Sequence, residues 1–273
     1  MQETWERITS EANAKIKLAA RLQQRKQRAK MGLFVAEGVR LAEMAAASNW
    51  QISFALVSEH AVQQPRVRKI LAQLKEKQVP VGCVSEALYA KASGTEHPQG
   101  LLLVLVRKTL TLDALGREAG ARPCYVVLDG VQDPGNLGTI LRTADAAGMS
   151  GIILLKGCTD AFSPKVVRAA MGSLFYLPLA AEVSRDDFFR FAGIERLRLY
   201  ATALDAAAEP HFAADYTGAT GIIFGNEGNG VSKELLDESK KIYIPMFGRA
   251  ESLNVAVSSA VVLYEVVRQR HMR

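Results

Sequence analysis

The strongest constraint on the fold is a regular alternation of short apolar runs and helical patterns in the second half of the chain. β-Branched and apolar residues predict strands at residues 125–128, 151–155, 197–201, 221–224 and 242–244. Helical spacing predicts helices at residues 137–147, 164–170, 186–192, 232–238 and 253–268. This alternation is typical of an α/β fold with a mostly parallel sheet covered on both faces. Ligands of such sheets bind beyond the carboxyl ends of strands, so the loops after strands are where chemistry is expected.

The first half of the chain also alternates and predicts a separate small α/β domain. Helices are predicted near residues 10–30 and at 39–47, 67–77 and 86–90, and strands at 33–36, 52–57, 79–84 and 101–106. Residues 108–123 lose strand character and end in a Gly-Ala-Arg-Pro sequence that is typical of a linker. The predicted organisation is a first domain of residues 1–109, a linker of residues 110–122 and a second domain of residues 123–273.

Positive charge is concentrated at the start of the chain. Residues 1–109 hold 17 Lys and Arg against 9 Asp and Glu, whereas residues 110–273 hold 17 against 19. The densest basic run comprises Lys15, Lys17, Arg21, Arg25, Lys26, Arg28 and Lys30. Such a segment favours contact with a polyanion, nucleic acid first. The alternative is a solvated helix face, because Lys and Arg are good helix formers.

One polar loop follows the strand predicted at residues 125–128. It turns through Pro134 and Gly135 and starts a helix, with Asn136 predicted as the N-cap. Arg142 lies about two turns into this otherwise apolar helix. Taken alone, the loop favours a simple cap at Asn136 and a surface position for Arg142 over a functional role for either residue.

A second loop follows the strand predicted at residues 221–224. Its three glycines, Gly225, Gly228 and Gly230, allow the backbone to approach a ligand. The spacing nearly fits a phosphate-binding loop, but the lysine that such a loop requires is missing. The pattern therefore predicts a ligand loop in which Glu227 has a functional role.

A third loop follows the strand predicted at residues 242–244 and leads into a helix that we expect Ser252 to cap. Over three turns this helix is almost wholly apolar apart from Asn254, Ser258 and Ser259. An unpaired amide in a buried first turn costs about 1–3 kcal/mol, so Asn254 requires a partner. A structural cap that satisfies nearby backbone groups is the alternative.

In this order, the three loops resemble the signature motifs of the SpoU (TrmH-type) RNA ribose 2′-O-methyltransferases. The resemblance covers residues 123–270. It rests on Asn-x-Gly-x-x-x-Arg at 136–142, Gly-Asn-Glu-x-x-Gly at 225–230, and Ile-Pro-Met with Ser-Leu-Asn-Val at 244–255. Residues 34–41 are similar to the start of a small substrate-binding domain found in many members, which resembles RNA-binding ribosomal proteins. Residues 247–251 are bulkier and more charged than is usual in the family, which puts the local substrate fit in question.

The resemblance implies a SPOUT-type fold, with a C-terminal segment that threads a deep trefoil knot. It also implies S-adenosylmethionine as cofactor, a homodimer and no metal. The cofactor-binding positions that it carries over are Gly225, Ile244 and Leu253. The catalytic positions are Asn136, Arg142, Glu227, Ser252 and Asn254. Ribosomal RNA is favoured over transfer RNA because of the separate N-terminal domain, in which the RNA-binding candidates are Lys15, Arg21, Arg25, Arg28 and Arg40.

The implied reaction moves a methyl group from a sulfonium to a ribose hydroxyl, which must lose its proton. Deprotonating Arg142 to accept that proton is unfavourable, because neutralising an Arg near pH 7 costs about 7–9 kcal/mol. We expect Arg142 to grip the adjacent phosphate and to stabilise developing alkoxide charge. The proton then leaves through that phosphate, water or Glu227, while Asn136 and Asn254 hold the loops and the ribose.

Two rival interpretations remain at this point. A non-catalytic RNA-binding relative would retain the fold without the chemistry, but the intact polar positions of all three motifs count against it. A nucleotide-dependent α/β enzyme would use the glycine loop, which lacks both the lysine and the dinucleotide glycine pattern.

The lengths of the apolar stretches and the spacing of the cysteines predict the cellular compartment. The longest uninterrupted apolar stretch, residues 101–106, is far shorter than the ~20 residues that span a bilayer, and residues 1–6 contain no apolar core. Cys83, Cys124 and Cys158 are widely spaced and form no Cys-x-x-Cys pair. These features predict a soluble cytoplasmic protein with no disulfide framework, membrane segment or zinc ribbon.

Overall fold

The computed structural model describes residues 5–118 and 120–271 and divides into two compact units. Unit 1 comprises residues 1–108 together with residues 160–175, and unit 2 comprises residues 109–159 and 176–273. Within the described ranges no helix combines the length and apolar character that crossing a membrane requires. The three cysteines are free thiols.

Twelve strands and eleven α-helices are described in these two ranges. The strands are β1 (Glu6–Ile8), β2 (Leu33–Glu37), β3 (Ile52–Ser58), β4 (Val81–Val84), β5 (Leu101–Val106), β6 (Cys124–Asp129), β7 (Gly151–Leu155), β8 (Leu179–Val183), β9 (Arg198–Thr202), β10 (Glu209–Pro210), β11 (Thr220–Gly225) and β12 (Lys240–Tyr243). The helices are α1 (Ala14–Arg21), α2 (Arg25–Met31), α3 (Val39–Ala47), α4 (Pro65–Glu76), α5 (Glu86–Ala92), α6 (Leu112–Glu118), α7 (Pro134–Ala146), α8 (Pro164–Ala169), α9 (Arg185–Ile194), α10 (Lys233–Asp237) and α11 (Val255–His271).

Unit 1 is built on a five-stranded mixed sheet of order β1-β4-β3-β5-β2. β5 pairs antiparallel with β2 and β3, whereas β1 and β3 both run parallel to β4. Every residue of β5 except the last is fully buried, as its continuous apolar sequence predicts.

The single helix predicted near residues 10–30 is wrong, because the chain turns between α1 and α2. Gln24 has an extended backbone, with φ −93° and ψ 131°. The carbonyl oxygens of Leu22 and Gln23 accept hydrogen bonds from Arg28 Nη1, each at 2.8 Å. A side chain from the second helix therefore satisfies the end of the first, which local helical propensity could not reveal.

Residues 160–175 follow β7 in the sequence but belong to unit 1. The buried ring of Phe162 lies 5.0 Å from that of Phe34, and the Trp50 indole N–H donates to the Phe175 carbonyl at 3.1 Å. Burying an aromatic side chain of this size contributes about 1.5–3 kcal/mol, so this cluster fixes the segment firmly within unit 1.

Unit 2 contains a seven-stranded sheet of order β10-β12-β9-β11-β6-β7-β8, in which every pair is parallel. The predicted α/β class with a mostly parallel sheet is confirmed.

The segment predicted as a linker, residues 110–122, contains α6, and Leu115 is fully buried in the core of unit 2 with Tyr125 and Phe191.

The sheet of unit 2 brings the ends of its central strands together. β6 and β11 are neighbours whose register places Asp129 beside Gly225, so the loops that follow these two strands leave the sheet at one place. The helix after β6, α7, packs against the C-terminal helix α11. This arrangement unites segments that lie about a hundred residues apart in the sequence.

Candidate active site

A chain of side-chain hydrogen bonds joins the three polar loops. Glu227 Oε1 accepts from Asn136 Nδ2 at 3.0 Å, and Asn136 Oδ1 accepts from Asn254 Nδ2, also at 3.0 Å. The partners of Asn136 lie 91 and 118 residues away in the sequence. Three of the five predicted catalytic residues therefore meet, one from each motif.

Glu227 is held as a charged acceptor. Its Oε1 also accepts from the Asp133 N–H at 3.1 Å, and its Oε2 accepts from the Gln132 N–H at 3.3 Å. Partial burial raises the pKa of Glu227, but the hydrogen bonds from Asn136 and from backbone N–H groups outweigh it and hold the pKa below its ordinary value. A carboxylate that is this well satisfied is a weak proton acceptor, which favours a structural task.

Both predicted N-caps are wrong. α7 begins at Pro134 and is capped by Asp133, whose Oδ1 accepts from the Asn136 N–H at 2.7 Å. Proline suits the first helical position because its missing N–H would have no partner there. The side chain of Asn136 is thus released for contacts with the other loops.

At the second helix, Asn254 takes the capping position that we predicted for Ser252. α11 begins at Val255, and Asn254 Oδ1 accepts from the Ala256 N–H at 2.9 Å. The same amide donates to Asn136, so Asn254 caps a helix and links two motifs at once. Ser252 is exposed in the loop that precedes it.

The glycine loop closes tightly on itself. A Cβ at Gly225 would lie 2.1 Å from the carbonyl carbon of Gly230, so only glycine fits there. Asn226 and Gly230 exchange backbone hydrogen bonds of 3.0 and 2.9 Å. Asn226 Nδ2 also donates to the Gly130 carbonyl at 2.8 Å, which fixes this loop on the loop after β6.

Arg142 lies on the exposed side of α7, six residues beyond Asn136. This separation corresponds to about 9 Å along the helix. The guanidinium is therefore available to a ligand that approaches α7 from solvent.

The backbone of the third loop has free hydrogen-bonding capacity. Among the residues that the structure describes, the backbone N–H groups of residues 246–252 make no hydrogen bond. Ile244 is half-buried and Leu253 is 36% exposed. Free backbone donors in the loop that Asn254 links to Asn136 fit a polar cofactor such as S-adenosylmethionine. No group of His, Cys, Asp or Glu in the described ranges is arranged to hold a metal ion.

Of the five predicted RNA-binding residues, four are exposed or half-buried and one is buried. Arg21, Arg25 and Arg40 are exposed, and Lys15, half-buried, forms an ion pair with Glu6. Arg28 is only 3% exposed, and its Nε donates to Asp160 Oδ2 at 2.8 Å. The assignment of Arg28 to RNA is therefore wrong for this fold, since its guanidinium is committed inside unit 1.

Sequence reasoning also missed three residues that shape the site: Asp129, Asp133 and Asn226. Each acts on backbone groups of a neighbouring loop or turn. Their positions at strand ends and before a proline were the available signal, but the long-range partners of Asp129 and Asn226 were not visible in the sequence.

Two family models match the chain. The SpoU rRNA Methylase family model matches residues 123–264, and the model of an MRM3-like substrate binding domain matches residues 13–103. The chain is 35% identical over 260 residues to the 23S rRNA (guanosine(2553)-2′-O)-methyltransferase RlmP of Bacillus subtilis (strain 168), covering 95% of this chain and 98% of that protein.

Solved structures agree with these matches. The S-adenosylmethionine-bound rRNA methyltransferase from Sinorhizobium meliloti is 34% identical with a TM-score of 0.85, covering 96% of this chain and 97% of that one. The SpoU methyltransferase AviRb from Streptomyces viridochromogenes, in complex with the same cofactor, is 28% identical with a TM-score of 0.83, covering 94% of this chain and 98% of that one.

Proposed function

Because this chain belongs to the SpoU rRNA methylase family, we propose that it methylates a ribose 2′-hydroxyl of 23S ribosomal RNA. The chain is an S-adenosylmethionine-dependent RNA 2′-O-methyltransferase. The observation that carries the proposal is the hydrogen-bonded chain Glu227–Asn136–Asn254, which joins the three family motifs. The choice of 23S RNA rests on the substrate in the name of the Bacillus subtilis relative.

When bound, S-adenosylmethionine supplies a methyl group on a sulfonium sulfur, which is already an activated leaving group. Gly225, Ile244 and Leu253 would hold the cofactor through backbone groups of the second and third loops. The side chains of Asn136 and Asn254 keep these loops in register with α7. Alignment of the two reactants is therefore the main contribution that we assign to the loops.

Arg142 is proposed to bind the phosphate beside the target ribose and to stabilise the alkoxide that develops on its 2′ oxygen. Arg remains charged at neutral pH, and its planar fork matches a phosphate in two places. Glu227 is a poor acceptor for the ribose proton, because its oxygens already accept three hydrogen bonds. The proton is therefore assigned to the RNA phosphate or to water, and Ser252 to contact with the substrate.

Unit 1 is proposed to supply most of the RNA affinity, through the exposed basic residues Lys17, Arg21 and Arg40. The support is the excess of 17 basic over 9 acidic residues in residues 1–109, which a phosphate backbone would neutralise. The match to a substrate-binding domain model over residues 13–103 also supports this division.

Finer features of the family are part of the same proposal. We infer a C-terminal trefoil knot, a homodimer that uses α11, and action in the cytoplasm. The dimer is supported by apolar side chains that α11 leaves uncovered in one chain, Val257 at 50% and Tyr264 at 52% exposure.

Mapping of 2′-O-methylation in total RNA from parent and gene-deletion strains tests the function. We expect one site in 23S RNA to lose its modification and to regain it with the parent gene but not with Arg142→Ala. Loss of a transfer RNA modification instead would redirect the assignment to that substrate. An unchanged methylation map would contradict the proposal.

A further inference from the structure

A buried carboxylate outside the family motifs lies where the glycine loop ends. Asp129, the last residue of β6, is 5% exposed and pairs in register with Gly225, the last residue of β11. Burying a carboxylate is costly unless every oxygen is satisfied, so its partners indicate what it does.

The partners of Asp129 are a loop N–H and a distant cation. Asp129 Oδ2 accepts from the Ser232 N–H at 2.8 Å, and Oδ1 accepts from Arg185 Nη2 at 3.2 Å. Arg185 is the first residue of α9, which follows the edge strand β8, and the sheet order places β7 between β8 and β6. The Arg185 side chain therefore extends along the carboxyl edge of the sheet to reach Asp129, and it is 44% exposed.

The glycine loop is consequently fixed at both ends to the same short segment. Asn226 holds its start on Gly130, and Asp129 holds its exit at Ser232. The tight closure between Gly225 and Gly230 sets the path between these anchors. A loop fixed in this way loses its conformational entropy during folding and not during ligand binding, which increases affinity.

We propose that Asp129 is a positioning residue for S-adenosylmethionine, and that Arg185 supports it. Asp129 acts through the shape of the loop 225–232 and makes no contact with the reacting atoms. This inference rests on the proposed function, because it assigns that loop to the cofactor. A purely structural role would change the stability of the protein without changing cofactor affinity at temperatures where the protein is folded.

Asp129→Asn tests this assignment in the full-length protein. The side-chain oxygen of the Asn can still accept from the Ser232 N–H. Its NH2 group would then face the guanidinium of Arg185, and because both groups are donors, no hydrogen bond could form between them. We expect the Kd and KM for S-adenosylmethionine to rise about tenfold or more, the loss typical of a buried charged hydrogen bond. The kcat at saturating cofactor and the affinity for RNA should change less than about threefold, because bound cofactor restores the shape of the loop and Asp129 itself contacts neither the RNA nor the reacting atoms.

Asp215→Asn is the matched control, since Asp215 also accepts from an arginine, Arg198 at 2.6 Å, but lies at the surface of unit 2 away from the three loops. Its Kd for S-adenosylmethionine should stay within about twofold of the parent value. Calorimetry gives the Kd and thermal unfolding gives the Tm.

An Asp129→Asn protein that is folded and binds the cofactor as tightly as the parent overturns the inference, whatever its Tm. Should this variant not fold, Arg185→Ala provides a second test. The Arg185 side chain is half exposed, so its removal is expected to leave the protein folded. We expect its Kd to rise about threefold or more, and a parent-like Kd overturns the inference equally. A parent protein that binds no S-adenosylmethionine contradicts the proposed function instead.

Discussion

At the scale of single residues, the site depends on side chains that hold loops together. Glu227 accepts hydrogen bonds from two backbone N–H groups and from the amide of Asn136, so its carboxylate holds the loops even though it is a poor base. An amide at position 227 would present a donor where the loop after β6 already offers donors.

Glu227→Gln should therefore lower stability at pH 7 but not at low pH. The pKa of Glu227 lies below its ordinary value in the folded protein, so its stabilising effect is complete above the unfolded pKa of about 4.3. The effect is lost as the pH falls through the folded pKa. Urea unfolding should give parent and variant free energies that differ at pH 7 and converge once the pH lies below the lowered pKa of folded Glu227. A difference that is constant across this range would contradict the role given to the carboxylate.

Arg142 provides a sharper test of the chemistry. Arg142→Ala should abolish methyl transfer and leave the Kd for S-adenosylmethionine nearly unchanged, because the cofactor is assigned to other loops. Arg142→Lys keeps the charge but loses the planar fork, so it should recover little activity at any pH between about 7 and 9.

The opposite result would identify Arg142 as a base. Lysine has an ordinary pKa of about 10.4, lower than that of arginine, so a basic mechanism predicts strong activation of Arg142→Lys as the pH rises. Single-turnover rates at saturating RNA and cofactor distinguish the two mechanisms.

At the scale of elements, the buried ion pair between α2 and the segment 160–175 has the largest expected effect on stability. The side chains of Arg28 and Asp160 are 4% and 8% exposed. Arg28→Ala should lower the free energy of unfolding by about 3–5 kcal/mol, since it leaves an uncompensated carboxylate and two unpaired carbonyls. Arg66→Ala, which breaks the exposed pair with Glu43, should cost less than about 1 kcal/mol. Equal losses of unfolding free energy for the two variants in urea would contradict the larger contribution assigned to the buried pair.

Local pattern predicted most elements but not those imposed by distant partners. The bounds of α3, β5 and β7 match the predicted ones, because each has an unmixed apolar or helical pattern. β8 was not predicted, since its Leu-Ala-Ala-Glu-Val sequence has little strand preference and becomes a strand by pairing with β7. The prediction of one helix near residues 10–30 failed for the same kind of reason. The side chain of Arg28, which lies after the turn, donates to the Leu22 carbonyl at the end of α1 and so stabilises the turn.

The site follows the same rule. The motifs identified Asn136, Glu227 and Asn254, and the structure brings these three together. Their hydrogen-bond partners could not be predicted, because helix propensity places a cap locally whereas these amides bond across the sheet edge. The roles of Arg142 and Ser252 stay predictions, since both residues are exposed and the roles assigned to them are contacts with bound RNA.

At the scale of the whole molecule, the uneven charge predicts how RNA binding depends on salt. Each phosphate contact that is lost should reduce the slope of log affinity against log salt by about 0.7–0.9. Arg21→Ala and Arg40→Ala in unit 1 should each produce such a reduction. Arg190→Ala, an exposed arginine of α9 in unit 2, is the control and should leave the slope unchanged. A control that matches the unit 1 variants would contradict the division of roles between the units.

The uncovered face of α11 predicts the assembly. Val257 and Tyr264 lie seven residues apart, so they share one side of the helix, and each is half exposed. Light scattering at micromolar concentration should give about twice the 29.7 kDa of one chain. Val257→Asp should yield monomers, because a charge on this face would be buried without a partner. Leu204→Asp is the control, since Leu204 is 75% exposed in a loop outside α11 and should leave the dimer intact. A monomeric parent, or equal dissociation by both variants, would exclude α11 as the interface.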